Sequence, residues 1–228
     1  MKCLCILSML AALATAQAAT VLSTTTKEDL SQLTSGGYGG YYGFSFDLDH
    51  MLLSSGDSIS SNSTVFLQSL DIAKATNRAD GTNGLYVTIF SSSGTKDSTT
   101  FVGQSTTTID MAGENAGDGQ ASWEKAVFNN LQLNSGVTYY VAFTTTQISD
   151  DTSWADVIFS PARLRLGKAG DGVDIGDVYK NPELTDPESS AWSPTLRAEV
   201  TLASVPEPAT ASLGLLGLAA LMMRRRRA

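Results

Sequence analysis

Residues 40–49 read Gly40-Tyr41-Tyr42-Gly43-Phe44-Ser45-Phe46-Asp47-Leu48-Asp49, and the two-residue period of this stretch decides the class of fold. Tyr42, Phe44, Phe46 and Leu48 fall on one side of an extended chain, with small or acidic residues on the other. Successive side chains of a strand point to opposite faces, so the pattern predicts a strand with one buried face. Working outward, residues 85–90 alternate Leu85, Val87 and Ile89 with Tyr86, Thr88 and Phe90, and Ser91-Ser92-Ser93-Gly94 predicts a turn after them. In residues 194–202, Leu196, Ala198, Val200 and Leu202 face one way and Thr195, Arg197, Glu199 and Thr201 the other. Residues 65–73 have good strand character but an ambiguous face, because Val65, Leu67, Ser69 and Asp71 stand against Phe66, Leu70 and Ile72. Residues 101–109, with the exposed-strand run Thr106-Thr107-Thr108, and residues 122–128, 137–146 and 155–159 complete a set of about eight strands. Separated by Gly, Asn and Asp turns, they predict an all-β protein, a single antiparallel β-sandwich. Helix candidates are few, residues 26–33 and 49–53.

The two ends have a different character. Lys2, a short apolar run over residues 4–14 and the small-residue pattern Ala16-Gln17-Ala18 make an N-terminal secretion signal, with signal peptidase expected to cut after Ala18. The apolar run is about 11 residues, against the ~20 that a membrane-spanning helix needs. Cys3 and Cys5 are the chain's cysteines and both lie inside this signal, so residues 19–204 contain none. Disulfides, thiol catalysis and cysteine-bound zinc are thereby excluded from the expected mature domain. At the other end, Pro206-Glu207-Pro208 precedes an apolar run at residues 209–223 and the basic cluster Arg224, Arg225, Arg226 and Arg227. The prolines disfavour helix and separate the tail from the domain, and the apolar run predicts a short transmembrane helix. Arginines stay on the cytoplasmic side, which leaves the preceding domain outside and agrees with the secretion signal. The expected organisation is a signal peptide at 1–18, a β-sandwich domain at 19–204 and a tail at 205–228.

The tail resembles the PEP-CTERM sorting signal of Gram-negative bacteria, whose three parts stand here in order as Pro206-Glu207-Pro208, the apolar run and the four arginines. The resemblance implies transient residence in the inner membrane, processing by an exosortase-type enzyme, and release or attachment at the cell surface, often alongside exopolysaccharide production. A second likeness covers residues 85–145. Its phrases Gly84-Leu85-Tyr86-Val87-Thr88-Ile89-Phe90 and Leu133-Asn134-Ser135-Gly136-Val137-Thr138-Tyr139-Tyr140 are similar to strands of jelly-roll modules found on bacterial surfaces and beside carbohydrate-active enzymes. That likeness implies a jelly-roll-like sandwich with polysaccharide as a candidate partner.

Lys2 and the four arginines account for five of the 15 basic residues and Glu207 for one of the 23 acids, so residues 19–204 carry 10 basic and 22 acidic residues, a net charge of −12. Such a surface repels nucleic acid, and nucleic-acid binding is excluded. No Gly-x-Ser-x-Gly or His-Glu-x-x-His motif and no phosphate-cradling Gly-rich loop occurs, and His50, the single histidine, reads as a loop residue. The domain is therefore expected not to be an enzyme. A glycosidase needs only two suitably spaced acids, and it stays open as an alternative. Asp171, Asp174 and Asp177 form the densest acidic stretch. They read as a solvated turn, with a structural calcium ion as the alternative and no other cofactor expected. The tyrosines of residues 35–43, together with Trp123, Trp154 and Trp192, either fill the core or stack on sugars. An exported surface or matrix protein with a structural or adhesive role is the first reading, and a carbohydrate-binding module the second.

Overall fold

A computed structural model describes residues 19–25, 33–34, 43–53, 59–60, 63–74, 84–92, 99–111, 122–148, 166, 168–169, 176, 178–179 and 194–202. The alternation of residues 40–49 becomes strand Gly43–Asp47, in which Phe44 and Phe46 are fully buried, with Leu48 buried just beyond. Phe44 packs on Phe143 with ring centroids 6.1 Å apart, and Phe46 on Tyr139 at 5.6 Å. The strands in chain order are β1 (Thr20–Ser23), β2 (Leu33–Thr34), β3 (Gly43–Asp47), β4 (Leu52–Leu53), β5 (Thr64–Lys74), β6 (Leu85–Ser92), β7 (Thr99–Ile109), β8 (Ser122–Asn134), β9 (Thr138–Thr144), β10 (Lys168–Ala169), β11 (Val178–Tyr179) and β12 (Leu196–Leu202).

They form two five-stranded antiparallel sheets, in the orders β4-β1-β12-β5-β8 and β11-β3-β9-β6-β7, beside a two-stranded pair of β10 and β2. The order is that of one long hairpin rolled on itself. First pairs with last in β1 and β12, then β3 with β9, β5 with β8, and β6 with β7. Rolling brings β12 against β5 and β9 against β6. This is the jelly-roll form of the sandwich, as expected from the sequence.

Register follows burial, since a one-residue slip would turn every core side chain outward. β12 places Leu196, Ala198 and Val200 in the core, as its alternation predicts. In β5, Gln68 is the extra residue against β12, standing between Leu67, which pairs with Val200, and Ser69, which pairs with Glu199. This bulge turns Val65, Leu67, Leu70 and Ile72 all inward, which resolves the ambiguous face. In β6, Leu85, Val87 and Ile89 enter the main core, while Phe90 on the opposite face is also fully buried, in a second cluster with Ala142. Phe101, Tyr140 and Ile148 pack against that second cluster.

Three sequence expectations change. β6 continues through Ser91 and Ser92, where a turn was expected, because both residues pair with β7. β8 runs on to Asn134, past the expected end at Phe128, because pairing with β5 resumes at Leu131 after a register shift in which Asn130 takes a positive φ of 51°. The helix expected over residues 49–53 is a single 3-10 turn, Leu48–His50, followed by β4, with the Asp47 side chain accepting from the Asp49 N–H at 2.7 Å. The helix candidate 26–33 lies outside the described residues except for Leu33, which is in β2, and residues 155–159 lie outside them altogether. The signal segment and the apolar tail also lie outside them. Among the described residues no helix is long and apolar enough to cross a membrane.

Candidate functional site

The pairing of β1 with β12 fixes where the chain ends leave the sandwich. Thr20 stands opposite Val200, and Leu202 opposite Val65 near the start of β5. The strand that opens the domain and the strand that closes it thus lie side by side, with the outgoing end of β12 beside the incoming end of β1. The expected signal-peptidase site at Ala16 and Ala18 precedes β1 by one residue, and Pro206 follows Leu202 by four. Ala16, Ala18, Pro206, Glu207, Pro208, Arg224, Arg225, Arg226 and Arg227 themselves lie outside the described residues.

β12 is an interior strand of its sheet. Residues 197–200 are paired on both sides, to β1 and to β5, and Thr201 and Leu202 pair with Phe66 and Val65 of β5. Among the described residues, β1 and β4 join the rest of their sheet through β12. The domain is completed by the last residues before the tail.

At the far end of β12, the outer face of the same sheet carries a polar and aromatic patch. Register sets Asp71 between Arg197 on one neighbour and Lys125 on the other, and Ser69 between Glu199 and Val127. Lys125 Nζ is 3.2 Å from Glu199 Oε2, and the Arg197 guanidinium lies 4.4 Å from the centroid of the Trp123 ring. Burial raises the Asp71 carboxyl above its ordinary range, Lys125 and Arg197 pull it back, and Glu199 adds to the rise. Asp71 Oδ1 and Trp123 Nε1 are buried with no hydrogen-bond partner among the described residues. Val21 and Val127, 45% and 37% exposed, complete the face. Trp123 was a stacking candidate from sequence, and here Arg197 occupies one face of its ring. Trp154 and Trp192 lie outside the described residues. Of the charged members, Arg197 and Glu199 were legible as the outward side of an alternating strand, whereas Asp71 stood in a strand of ambiguous face and Lys125 in one given no facing; their meeting was not legible, because the residues are far apart in the chain.

Two further arrangements hold the frame. Lys74 and Glu124 form an ion pair at 2.9 Å at the end of β5, with Lys74 Nζ donating to the Asp110 carbonyl at 2.8 Å and the Asp110 N–H donating to Glu124 at 3.2 Å. Where the edges of β7 and β8 meet, side chains replace the backbone ladder. Thr106 Oγ1 donates to the Val127 carbonyl and the Val127 N–H donates to Thr107 Oγ1, both at 3.1 Å. The exposed threonine run thereby satisfies an edge that would otherwise be open.

Asp171, Asp174 and Asp177 lie outside the described residues, but Gly176 among them is described. A Cβ at Gly176 would collide with the backbone of Ser45 in β3. The glycine in the acidic stretch is thus required by close packing that brings β11 onto β3. Gly43, the described residue of the tyrosine-rich segment, is held likewise against the Val141 carbonyl. His50 has a side chain 62% exposed and 3.7 Å from Asp47. Among the described residues no group of three or more His, Cys, Asp or Glu is placed to hold a metal ion.

Residues 204–227 match the PEP-CTERM protein-sorting motif. The match starts two residues after β12 ends and contains all three parts of the tail. No curated protein and no solved structure matches the chain. The motif marks the chain for export and for sorting at the cell envelope or surface by an exosortase-type enzyme.

Proposed function

We propose that this chain is a non-enzymatic cell-surface or extracellular-matrix protein, in which the tail decides location and the jelly roll supplies a structural or adhesive surface. The observation that carries the reading is the junction: the sorting motif begins at residue 204, directly after the strand that completes the sandwich at Leu202. Removal of the tail there leaves every described strand in place, so the cargo is a finished domain. Before β1 the secretion signal accounts for export, and a passing stay in the inner membrane accounts for the apolar run.

The outer-face patch favours a second reading, that of a carbohydrate-binding module. Trp123, Arg197 and Asp71 lie toward the start of β12, roughly 16 Å along the strand from Leu202 at ~3.3 Å per residue. A domain held by its tail would present this patch away from the anchor. Aromatic rings and charged groups on an exposed sheet face suit sugar contact.

A glycan array probed with the exported protein separates the two. A structural protein binds no sugar selectively, whereas a module binds a defined set and loses it on Trp123→Ala. Release of reducing ends from a surface polysaccharide would overturn both and favour a glycoside-active enzyme.

A further inference from the structure

The outer face of the first sheet is built of rows that cross its strands. One row runs Ser23, Arg197, Asp71 and Lys125 over β1, β12, β5 and β8, and the next runs Val21, Glu199, Ser69 and Val127. Residues two apart along a strand share a face, so the rows lie ~6.6 Å from each other. The Lys125 and Glu199 side chains are 53% and 41% exposed. Val21 and Val127, the large apolar side chains left exposed among the described residues, both stand in the second row. Residues 19–204 carry a net charge of −12, so copies of this domain repel one another in general. On this face the two cations and two anions balance.

The pattern is complementary to itself about one axis. A two-fold axis across the strands, midway between the rows, sets each row against the other row of a second copy. Arg197 then meets Glu199 of the second copy and Glu199 meets Arg197, Asp71 faces Ser69, and the Lys125 stem lies on Val127. A two-fold axis along β5 would instead bring Arg197 onto Lys125 and Asp71 onto Asp71, and like charges set against each other cost affinity. One orientation is favoured and the other rejected, and a contact of one patch with itself closes as a dimer.

We propose that the outer face of β1, β12, β5 and β8 is a homophilic surface, on which a second copy of this chain docks face to face with the rows exchanged. This rests on the adhesive reading of the domain and names its partner. A face four strands wide makes a small interface, so pairing is weak in solution. Copies held together at a cell surface gain from their high effective concentration.

Sedimentation of the exported protein over a range of concentrations tests the pairing, with Val127→Glu and Val127→Lys as variants. Val127 is partly exposed, and an unchanged melting temperature shows that each variant is folded. In the dimer, position 127 lies opposite Lys125 twice, so Val127→Glu should tighten pairing several-fold and Val127→Lys should weaken it several-fold. Net charge alone predicts the reverse, because glutamate adds to the −12 and lysine subtracts from it. Shifts in that reverse sense, or a protein that stays monomeric at millimolar concentration, overturn the homophilic surface. A monomer that binds a sugar through Trp123 also overturns it and gives the face to a glycan. Clumping of cells that display the chain keeps the two readings apart: clumping that Val127→Lys leaves unchanged upholds adhesion but overturns self-pairing, whereas cells that neither clump nor attach refute the adhesive reading itself.

Discussion

Phe46→Ala probes the part of the fold on which the jelly-roll assignment depends. Phe46 is fully buried in β3, between Phe44 at 6.4 Å and Tyr139 at 5.6 Å between ring centroids. Removing a buried phenyl ring costs about 3–5 kcal/mol, the sum of lost transfer energy and the cavity left behind. Against a total stability of roughly 5–15 kcal/mol, this is a large fraction. For a domain of roughly 150–250 residues each kcal/mol lowers the melting temperature by about 2–4 °C, so the expected drop is about 6–20 °C. Ser45→Ala is the companion variant. Ser45 is buried on the other face, where Gly176 approaches it, and loss of a hydroxyl costs about 1 kcal/mol. Thermal unfolding of the exported protein followed by circular dichroism measures both. Should Phe46→Ala cost less than Ser45→Ala, β3 would be out of register by one residue and its pairing with β9 would be wrong.

Three further outcomes are expected. Because the Asp71 carboxyl is raised, chiefly by burial, the folded state holds its proton more tightly than the unfolded one; its contribution is greatest at low pH and falls as pH rises from about 3.8 through the raised value. The stability difference between the unmodified protein and Asp71→Asn, measured by urea unfolding, should therefore shift against the unmodified protein across that range, and a difference flat with pH would refute the assignment. Since Cys3 and Cys5 both precede the expected cut after Ala18, a reducing agent should leave the melting temperature of the exported protein unchanged, whereas a drop of several degrees would require those cysteines to be retained. Millimolar calcium added after chelation should likewise leave it unchanged. A higher melting temperature, from a stabilisation of about 2.7 kcal/mol at a hundredfold excess over Kd, would make Asp171, Asp174 and Asp177 a calcium site.

Sequence legibility tracked how local the cause was. β3, β6 and β12 could be read because each alternates against a core without interruption, and the buried sets Phe44/Phe46, Leu85/Val87/Ile89 and Leu196/Ala198/Val200 are those the period predicts. β5 could not be oriented because the bulge at Gln68 depends on its partner β12, and a bulge breaks the two-residue period without marking the sequence. The second half of β8 was hidden because residues 128–130 fall in a register shift against β5, and only the resumed pairing of Leu131–Asn134 shows that the strand goes on. β1 and β4 are too short for a period to register and exist through pairing with β12 and with each other. The sorting tail was legible entire because its three parts are contiguous. Arg197 over Trp123 was not, because only the folded register of β12, β5 and β8 brings the two together.

Intact-mass spectrometry of the protein recovered from the cell surface decides whether the tail is removed. The expected chain begins at Ala19 and ends close to Pro206-Glu207-Pro208, retaining β1 and β12 and lacking residues 209–228. Surface chains that still end in Ala228 would contradict it and leave the apolar run as a permanent anchor.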